Sequence, residues 1–368
     1  MKLKPLRVVF AGGGTGGHIF PAIALADELK KNAPGIEITF IGAKAGLEGL
    51  IVPRYGYELK TLDVEGIKRR GVLKGIRAVM KAAAALLGAI LILKRLRPAG
   101  VMGCGGYSSA PVLLAAKVLG IKTAILEQNA LPGITNRLLG RFAQRAYTAF
   151  EEAGAYFRKD STRLLGNPVR RAILDAGMGN KTEAGAVFTI LVLGGSQGAL
   201  AVNSAMLDAI DCLKDMWPLL RVVHATGDAG FGAVEEGYGK RGFKGADVKR
   251  FIDDMATAYA ASDIVVTRAG ATTIAEITAL GRASVLIPYP YAADDHQRKN
   301  AMALVKKGAA IMLEQHGLSG ESLAKEIKRL YSDRDELEDI KRSAKNLGAP
   351  DAAAKIAGDF LRLMEGAS

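Results

Sequence analysis

Two glycine-rich turns, each directly after an apolar run and about half the chain apart, constrain the fold more than any other feature. The first is Gly12-Gly13-Gly14-Thr15-Gly16-Gly17-His18, after Val8-Val9-Phe10-Ala11. The second is Gly194-Gly195-Ser196-Gln197-Gly198-Ala199, after Ile190-Leu191-Val192-Leu193. In both, a buried strand is expected to end in a tight turn that opens a helix. Glycine suits such a turn because the backbone takes positive φ and a ligand can approach closely. The N–H groups and positive dipole end of the new helix then favour phosphate. One turn of this kind suggests a nucleotide fold. Two, each heading its own half, predict two nucleotide-fold domains facing across a cleft.

A chain of 368 residues is long enough for two cores. Its two cysteines, Cys104 and Cys212, are expected in different domains. That argues against a disulfide framework or a cysteine metal cluster and for a reducing compartment. The apolar run at 8–11 is too short for a signal peptide, so it reads as a strand of a cytoplasmic protein. Charge is uneven. Residues 1–168 carry 25 Lys+Arg against 11 Asp+Glu, a net of +14, and residues 169–368 carry 25 against 26, a net of −1, which together give the overall +13. A basic first half calls for nucleic acid, an anionic membrane face or an anionic substrate.

Apolar runs alternate with helical patterns throughout, as in doubly wound parallel α/β sheets. Strands are expected near 6–11, 36–41, 58–63, 99–103, 123–127, 145–149 and 162–165. In the second half they are expected near 188–193, 220–225, 247–251, 263–267, 283–288 and 310–313. Pro168 breaks the periodicity, so the expected domains are 1–168 and 169–349, with a C-terminal helix in 350–368 packing back on the first. Between Gly66 and Pro98 lie Lys68-Arg69-Arg70, then Lys74, Arg77 and Lys81 on one helical face, among Leu73, Ile76 and Met80. The apolar stretch 82–93 follows, too short to span a bilayer, which takes about 20 residues. This segment is either a core helix with a basic outer face or a helix lying on an anionic membrane.

Gly12-x-Gly14-x-x-Gly17 formally matches the dinucleotide fingerprint. That fingerprint wants an acid at the end of the second strand, and here the strand runs out as Ile41-Gly42-Ala43-Lys44. A nicotinamide dehydrogenase is therefore disfavoured. The richest segment is Thr267-Arg268-Ala269-Gly270-Ala271-Thr272-Thr273-Ile274-Ala275-Glu276. Gly270 to Thr273 would open another helix able to receive phosphate. Glu276, one turn in, either accepts from a ribose diol or pairs with a cation. Gln297 and Asn300, at i and i+3, either donate to one ligand or are solvated. His18 is a helix-start residue that caps and packs, or a base or phosphate contact. Asp333-Arg334-Asp335 reads as charged surface, and no Cys/His cluster has metal-ligand spacing.

Several further motifs complete a pattern: Glu127-Gln128-Asn129 with Pro132-Gly133 and Asn136, Gly166-Asn167-Pro168-Val169-Arg170, and Phe251-Ile252-Asp253-Asp254-Met255. With the glycine turns, the 270–276 segment and Gln297-x-x-Asn300, the chain closely resembles the MurG family over nearly its full length. The resemblance implies the GT-B fold, two Rossmann-like domains, and an inverting hexosyltransferase. Such an enzyme moves GlcNAc from UDP-GlcNAc to lipid I, undecaprenyl-pyrophosphoryl-MurNAc-pentapeptide, giving lipid II for peptidoglycan and so serving cell shape and division. The resemblance implies that Ile252 pairs with uracil through its backbone and Glu276 holds the ribose. Ser196 and the turn Ala271, Thr272, Thr273, Ile274 and Ala275 would hold diphosphate, with Arg170. Gln297, Asn300 and Asn129 would contact the sugar, and Thr15, Gly16 and Gly17 the donor's edge. Gly13, Gly14, Tyr107 and His18 would line the acceptor side, with His18 or Glu127 as the catalytic base.

One departure is Leu126, where the family usually has histidine. No tightly bound cofactor is implied, and a divalent cation is at most loosely associated. Neither nucleic acid nor a membrane span is expected. The expected location is peripheral, on the cytoplasmic face of the inner membrane, with the basic 66–93 segment against anionic lipid. The alternatives are another UDP-sugar enzyme of the same fold, such as a UDP-GlcNAc 2-epimerase or a different lipid-linked glycosyltransferase, and a nucleotide-binding regulatory protein.

Overall fold

A computed structural model describes residues 5–44, 46–64, 72–177, 187–194 and 198–366, with 72–79 and 176–177 described by backbone alone. The chain divides into two compact units, Met1–Arg170 with Asp351–Ser368, and Arg171–Pro350. Cys104 lies in the first and Cys212 in the second, both as free thiols.

Seven strands build the sheet of the first unit: β1 (Arg7–Ala11), β2 (Glu37–Ala43), β3 (Glu58–Leu62), β4 (Gly100–Gly103), β5 (Lys122–Glu127), β6 (Arg145–Thr148) and β7 (Thr162–Leu164). Their order is β3-β2-β1-β4-β5-β6-β7, and each pairing is parallel. The second sheet has six: β8 (Phe188–Leu193), β9 (Leu220–Ala225), β10 (Ala246–Lys249), β11 (Ile264–Thr267), β12 (Ala283–Leu286) and β13 (Ile311–Met312). Its order is β10-β9-β8-β11-β12-β13, again parallel. Helices cover both faces of a parallel sheet, so central strands are continuous apolar runs rather than alternating ones. Every residue of β8 is buried, as are Val8 to Ala11 of β1.

Each sheet reverses direction between its first and fourth strands, β1 beside β4 and β8 beside β11. Ligands of such folds bind at this point, beyond the carboxyl ends of the strands. Both glycine turns sit there. Doubly wound α/β architecture thus holds in both halves, as periodicity and the repeated turn implied.

The last helix, Ala352–Glu365, returns to the first unit and packs on the helix Gly16–Asn32. Ile356, Ala357 and Phe360 are buried in the same core as Val8, Phe10 and Ile23. Asp359 accepts from Arg145 Nε at 3.1 Å and from the Tyr147 hydroxyl at 2.8 Å, tying the helix to β6. Asp333 caps the helix Arg334–Leu347 by accepting from Glu336 N at 2.9 Å, which explains the Asp-Arg-Asp pattern as helix chemistry.

Beneath the second glycine turn lies a fully buried polar chain. His224 on β9 faces Asn203 Oδ1 through Nε2 at 3.1 Å and the Tyr238 hydroxyl through Nδ1 at 3.0 Å. Asn203 Nδ2 donates to Thr226 O at 3.2 Å. An amide oxygen only accepts, so Nε2 carries the proton and the ring is neutral. Burial lowers the pKa of His224 to about 4, from 6.5. A lowered folded-state pKa supplies stability that is complete above the unfolded value and lost as pH falls through the folded one. Between pH 6.5 and 4 the second unit should lose about 3 kcal/mol from this group. Urea unfolding followed by the lone tryptophan, Trp217, should show that slope in the parent and a flatter one in His224→Gln.

Candidate functional site

In the first unit, β1 and β4 each end in a glycine turn, and the two turns interlock. Gly13 N donates to Gly105 O at 3.3 Å, and a Cβ on Gly106 would stand 2.6 Å from Gly13 O. Gly14 and Gly105 take φ of +86° and +97°, the left-handed region that side chains resist. His18, in the first turn of the helix Gly16–Asn32, bonds through Nδ1 to Gly13 O at 3.0 Å. A carbonyl can only accept, so Nδ1 carries a proton. A Cβ on Gly105 would come within 2.9 Å of the Nε2 edge of the ring. Thr15 and Gly14 are exposed, Gly16 and Gly17 are half-buried, and Tyr107 stands out from the second turn. Gly13 is buried beneath them.

Glu127 ends β5 and is 1% exposed. Its Oε1 accepts from Asn129 N at 3.0 Å and Asn129 Nδ2 at 3.3 Å. Its Oε2 accepts from Gly133 N at 3.3 Å and Asn136 Nδ2 at 2.9 Å. Burial pushes this carboxyl above the usual range, and the four N–H donors pull the other way. These four donors tie its carboxyl to the loop 128–136 and brace Asn129. Arg170 lies with its guanidinium 4.5 Å from the Phe20 ring centroid and donates to the Tyr55 hydroxyl at 3.3 Å.

In the second unit, Gly270 caps the helix Ala271–Ala279 after β11. Thr272, Thr273 and Ala275 are half-buried, Ala271 and Ile274 buried. Glu276 is buried on the same helix and accepts from the Tyr259 hydroxyl at 2.9 Å. Tyr259 belongs to the helix Met255–Ala261, which starts just after the half-buried Ile252. Arg268 donates to Ile287 O at 3.1 Å, Pro288 O at 3.2 Å and Gln315 Oε1 at 2.6 Å, anchoring the loop beyond β12. Gln297 accepts from Tyr289 N at 3.0 Å in that same loop. Asn300 is fully buried and donates to Ala269 O at 3.2 Å. The two amides thus hold different backbone segments, and only Asn300 is buried, where an amide must find a partner within the protein. Ser196 lies outside the described residues; its neighbour Gly198, at φ +75°, packs where a Cβ would meet Thr226 O at 2.6 Å.

The helix Val72–Leu96 has a buried side and an exposed apolar side. Ala85, Ala89 and Leu93 are buried against the sheet, four residues apart. Met80, Leu87 and Leu91 are 66%, 62% and 69% exposed on its outer side. The neighbouring helix Ser109–Val118 exposes Leu114 and Val118. Lys68, Arg69 and Arg70 lie outside the described residues, and Leu73, Lys74, Ile76 and Arg77 are described by backbone alone. Among the described residues, no helix is long and apolar enough to cross a membrane.

Residues 8–148 match the Glycosyltransferase family 28 N-terminal domain, and residues 189–356 the Glycosyltransferase family 28 C-terminal domain. A Myxococcus xanthus protein is 45% identical over 98% of this chain and 93% of its own length. It is named UDP-N-acetylglucosamine--N-acetylmuramyl-(pentapeptide) pyrophosphoryl-undecaprenol N-acetylglucosamine transferase. A Citrifermentans bemidjiense protein of the same name is 46% identical over 95% of this chain and 98% of its own length. The chain belongs to the MurG family. The crystal structure of Acinetobacter baumannii MurG superposes with a TM-score of 0.79 at 29% identity, covering 97% of this chain and 100% of that one. A UDP-GlcNAc 2-epimerase from Neisseria meningitidis, bound to UDP-GlcNAc, shares the fold at 14% identity and a TM-score of 0.68 over 98% of this chain and 100% of its own. The GT-B architecture is thus common to both, and sequence separates them.

Glu48 in the first unit, and Tyr259 and Arg268 in the second, each brace a segment at the strand ends of their own unit, yet none stood out in the sequence as a functional residue. The signals were faint: a lone acid in Gly46-Leu47-Glu48-Gly49, and an arginine inside an otherwise small-residue turn. The folded Glu127 carboxyl keeps its proton to higher pH than the unfolded one, so its ionisation opposes folding as pH rises, and Asn136 limits that loss. Asn136→Ala should therefore cost about 2 kcal/mol at pH 8 and less at pH 5. Urea unfolding followed by circular dichroism at the two values checks both size and direction.

Proposed function

We propose that this chain transfers GlcNAc from UDP-GlcNAc to the MurNAc 4-hydroxyl of lipid I, forming lipid II with inversion at the anomeric carbon. The observation that carries the reading is near-full-length identity of about 45% to transferases of that name, across both domains. The acceptor oxygen attacks C1 of the sugar, the bond from C1 to the diphosphate breaks, and UDP leaves. Charge grows on the leaving diphosphate. The amino end of the helix Ala271–Ala279 is the second unit's feature suited to stabilise it. The ribose diol donates to Glu276, whose carboxyl Tyr259 aims, and the Ile252 backbone reads uracil. In the first unit, His18 Nε2 takes the acceptor proton, while Gly14, Thr15 and Tyr107 face the acceptor.

The decisive assay is transfer of labelled GlcNAc to a short-chain lipid I analogue, with UDP as co-product. Absence of transfer by the folded protein would reject the reading. Glu276→Ala should raise the KM for UDP-GlcNAc by about 10- to 100-fold, as expected for losing a hydrogen bond to a charged group. An unchanged KM and kcat/KM would remove Glu276 from the donor site.

We also infer that the outer face of the helix Val72–Leu96 rests on anionic membrane, since the acceptor is lipid-linked. Apolar side chains at Met80, Leu87 and Leu91, with exposed Lys81, Lys94 and Arg95 on the same helix, suit an interfacial position. The double variant Leu87→Glu, Leu91→Glu should lose most sedimentation with anionic vesicles and keep turnover of a soluble acceptor. Parent-like sedimentation would place the membrane contact elsewhere.

A further inference from the structure

The glycine turn after β1 is built like a phosphate site, yet the chain fills it with its own anion. Glu48 opens the short helix Glu48–Arg54 and is 1% exposed. Its Oε2 accepts from Gly14 N at 2.9 Å and its Oε1 from Ala43 N at 2.6 Å. One carboxylate thus bridges the turn beyond β1 and the end of β2. Three glycines make room for it. A Cβ on Gly13, Gly42 or Gly46 would lie 2.3, 2.4 or 2.1 Å from Glu48 side-chain atoms. In dinucleotide folds the N–H groups of this turn receive a ligand's pyrophosphate, and a separate acid at the end of the second strand takes the ribose. Here a single internal carboxylate reaches both places.

The same carboxylate borders the group that orients His18. Gly13, packed against Glu48, accepts from His18 Nδ1 through its carbonyl and donates to Gly105 through its N–H. A run of three glycines has little conformational preference of its own, so something outside it must set where the Gly13 carbonyl points. Glu48 supplies that constraint through the adjoining Gly14 N–H. A buried carboxylate costs several kcal/mol to desolvate, a cost that leucine or glutamine would avoid. Its retention makes sense where geometry, rather than stability, is at stake.

We propose that Glu48 is a built-in anion that occupies the phosphate position of the first glycine turn and serves as the positioning residue for His18, holding the proton on Nδ1. The proposal rests on the acceptor-side role given to His18 above. It also implies that the acceptor's diphosphate is not received at Gly14 N.

Two variants test it. Glu48→Gln keeps the volume but turns an NH2 group toward one of the two backbone N–H donors. Gly46→Ala leaves the carboxylate chemically intact and displaces it. The ¹⁵N shifts of the imidazoles, four in all, are recorded for each protein, with His18 assigned by His18→Gln. At a pH where the ring is neutral, the parent should show the His18 proton on Nδ1, and both variants a mixture of tautomers. With a soluble acceptor, kcat should fall about 10- to 100-fold in both, the scale of a misplaced catalytic group, with the KM for UDP-GlcNAc within twofold of the parent. Folded variants with parent-like kcat would overturn the proposal, and so would a lower kcat with unchanged His18 signals. If Glu48→Gln does not fold, Gly46→Ala carries the same two readouts. Failure of the parent to transfer GlcNAc would sink the functional reading alone, because the tautomer measurement stands without turnover.

Discussion

Backbone N–H and carbonyl groups at the carboxyl ends of the strands need partners, and the rest of this molecule follows from how they are found. A parallel sheet covered on both faces leaves its strand ends as the place where the ladder stops and polar groups must be met by something else. In the first unit two buried carboxylates do this. Glu48 takes the N–H groups of Gly14 and Ala43, and Glu127 those of Asn129 and Gly133. In the second unit Arg268 and Asn300 supply N–H groups to the carbonyls of Ile287, Pro288 and Ala269, and Gln297 accepts from Tyr289 N. Side-chain donors also serve the first unit, where Gln128 donates to Cys104 O and Asn136 to Leu126 O.

Such contacts fix the backbone of a turn that glycine leaves free to move. His224, Asn203 and Thr226 stiffen the second turn from below without adding charge, because the histidine is neutral. In each case rigidity comes from buried polar pairs whose members lie far apart in the chain.

The sequence carried the periodic part of this in plain view. Apolar runs marked the central strands, and the repeated turn marked two nucleotide folds. Family motifs marked most residues of the candidate site by position, because those motifs are local strings. What they touch was less legible. The spacing of Gln297 and Asn300 left open a shared ligand or solvent, and it held no sign that one contacts Tyr289 N and the other Ala269 O. Glu127 reads from its motif as a functional carboxylate, and only the fold shows the four N–H donors on it.

The sequence by itself determined the fold class, the switch-point turns and the unusual helix 72–96, since these depend on side-chain periodicity and on where glycine permits positive φ. Tertiary structure alone decided which groups meet. Glu48 finds Gly14 across 34 residues, Tyr259 finds Glu276 across 17, and Tyr147 finds Asp359 across 212. Those pairings depend on strand order and on helices returning to a particular face, and nearest-neighbour chemistry holds no record of either. The outward apolar row of Met80, Leu87 and Leu91 has the same origin. Helical spacing shows that such a row exists, but only packing of Ala85, Ala89 and Leu93 against the sheet determines that it faces out.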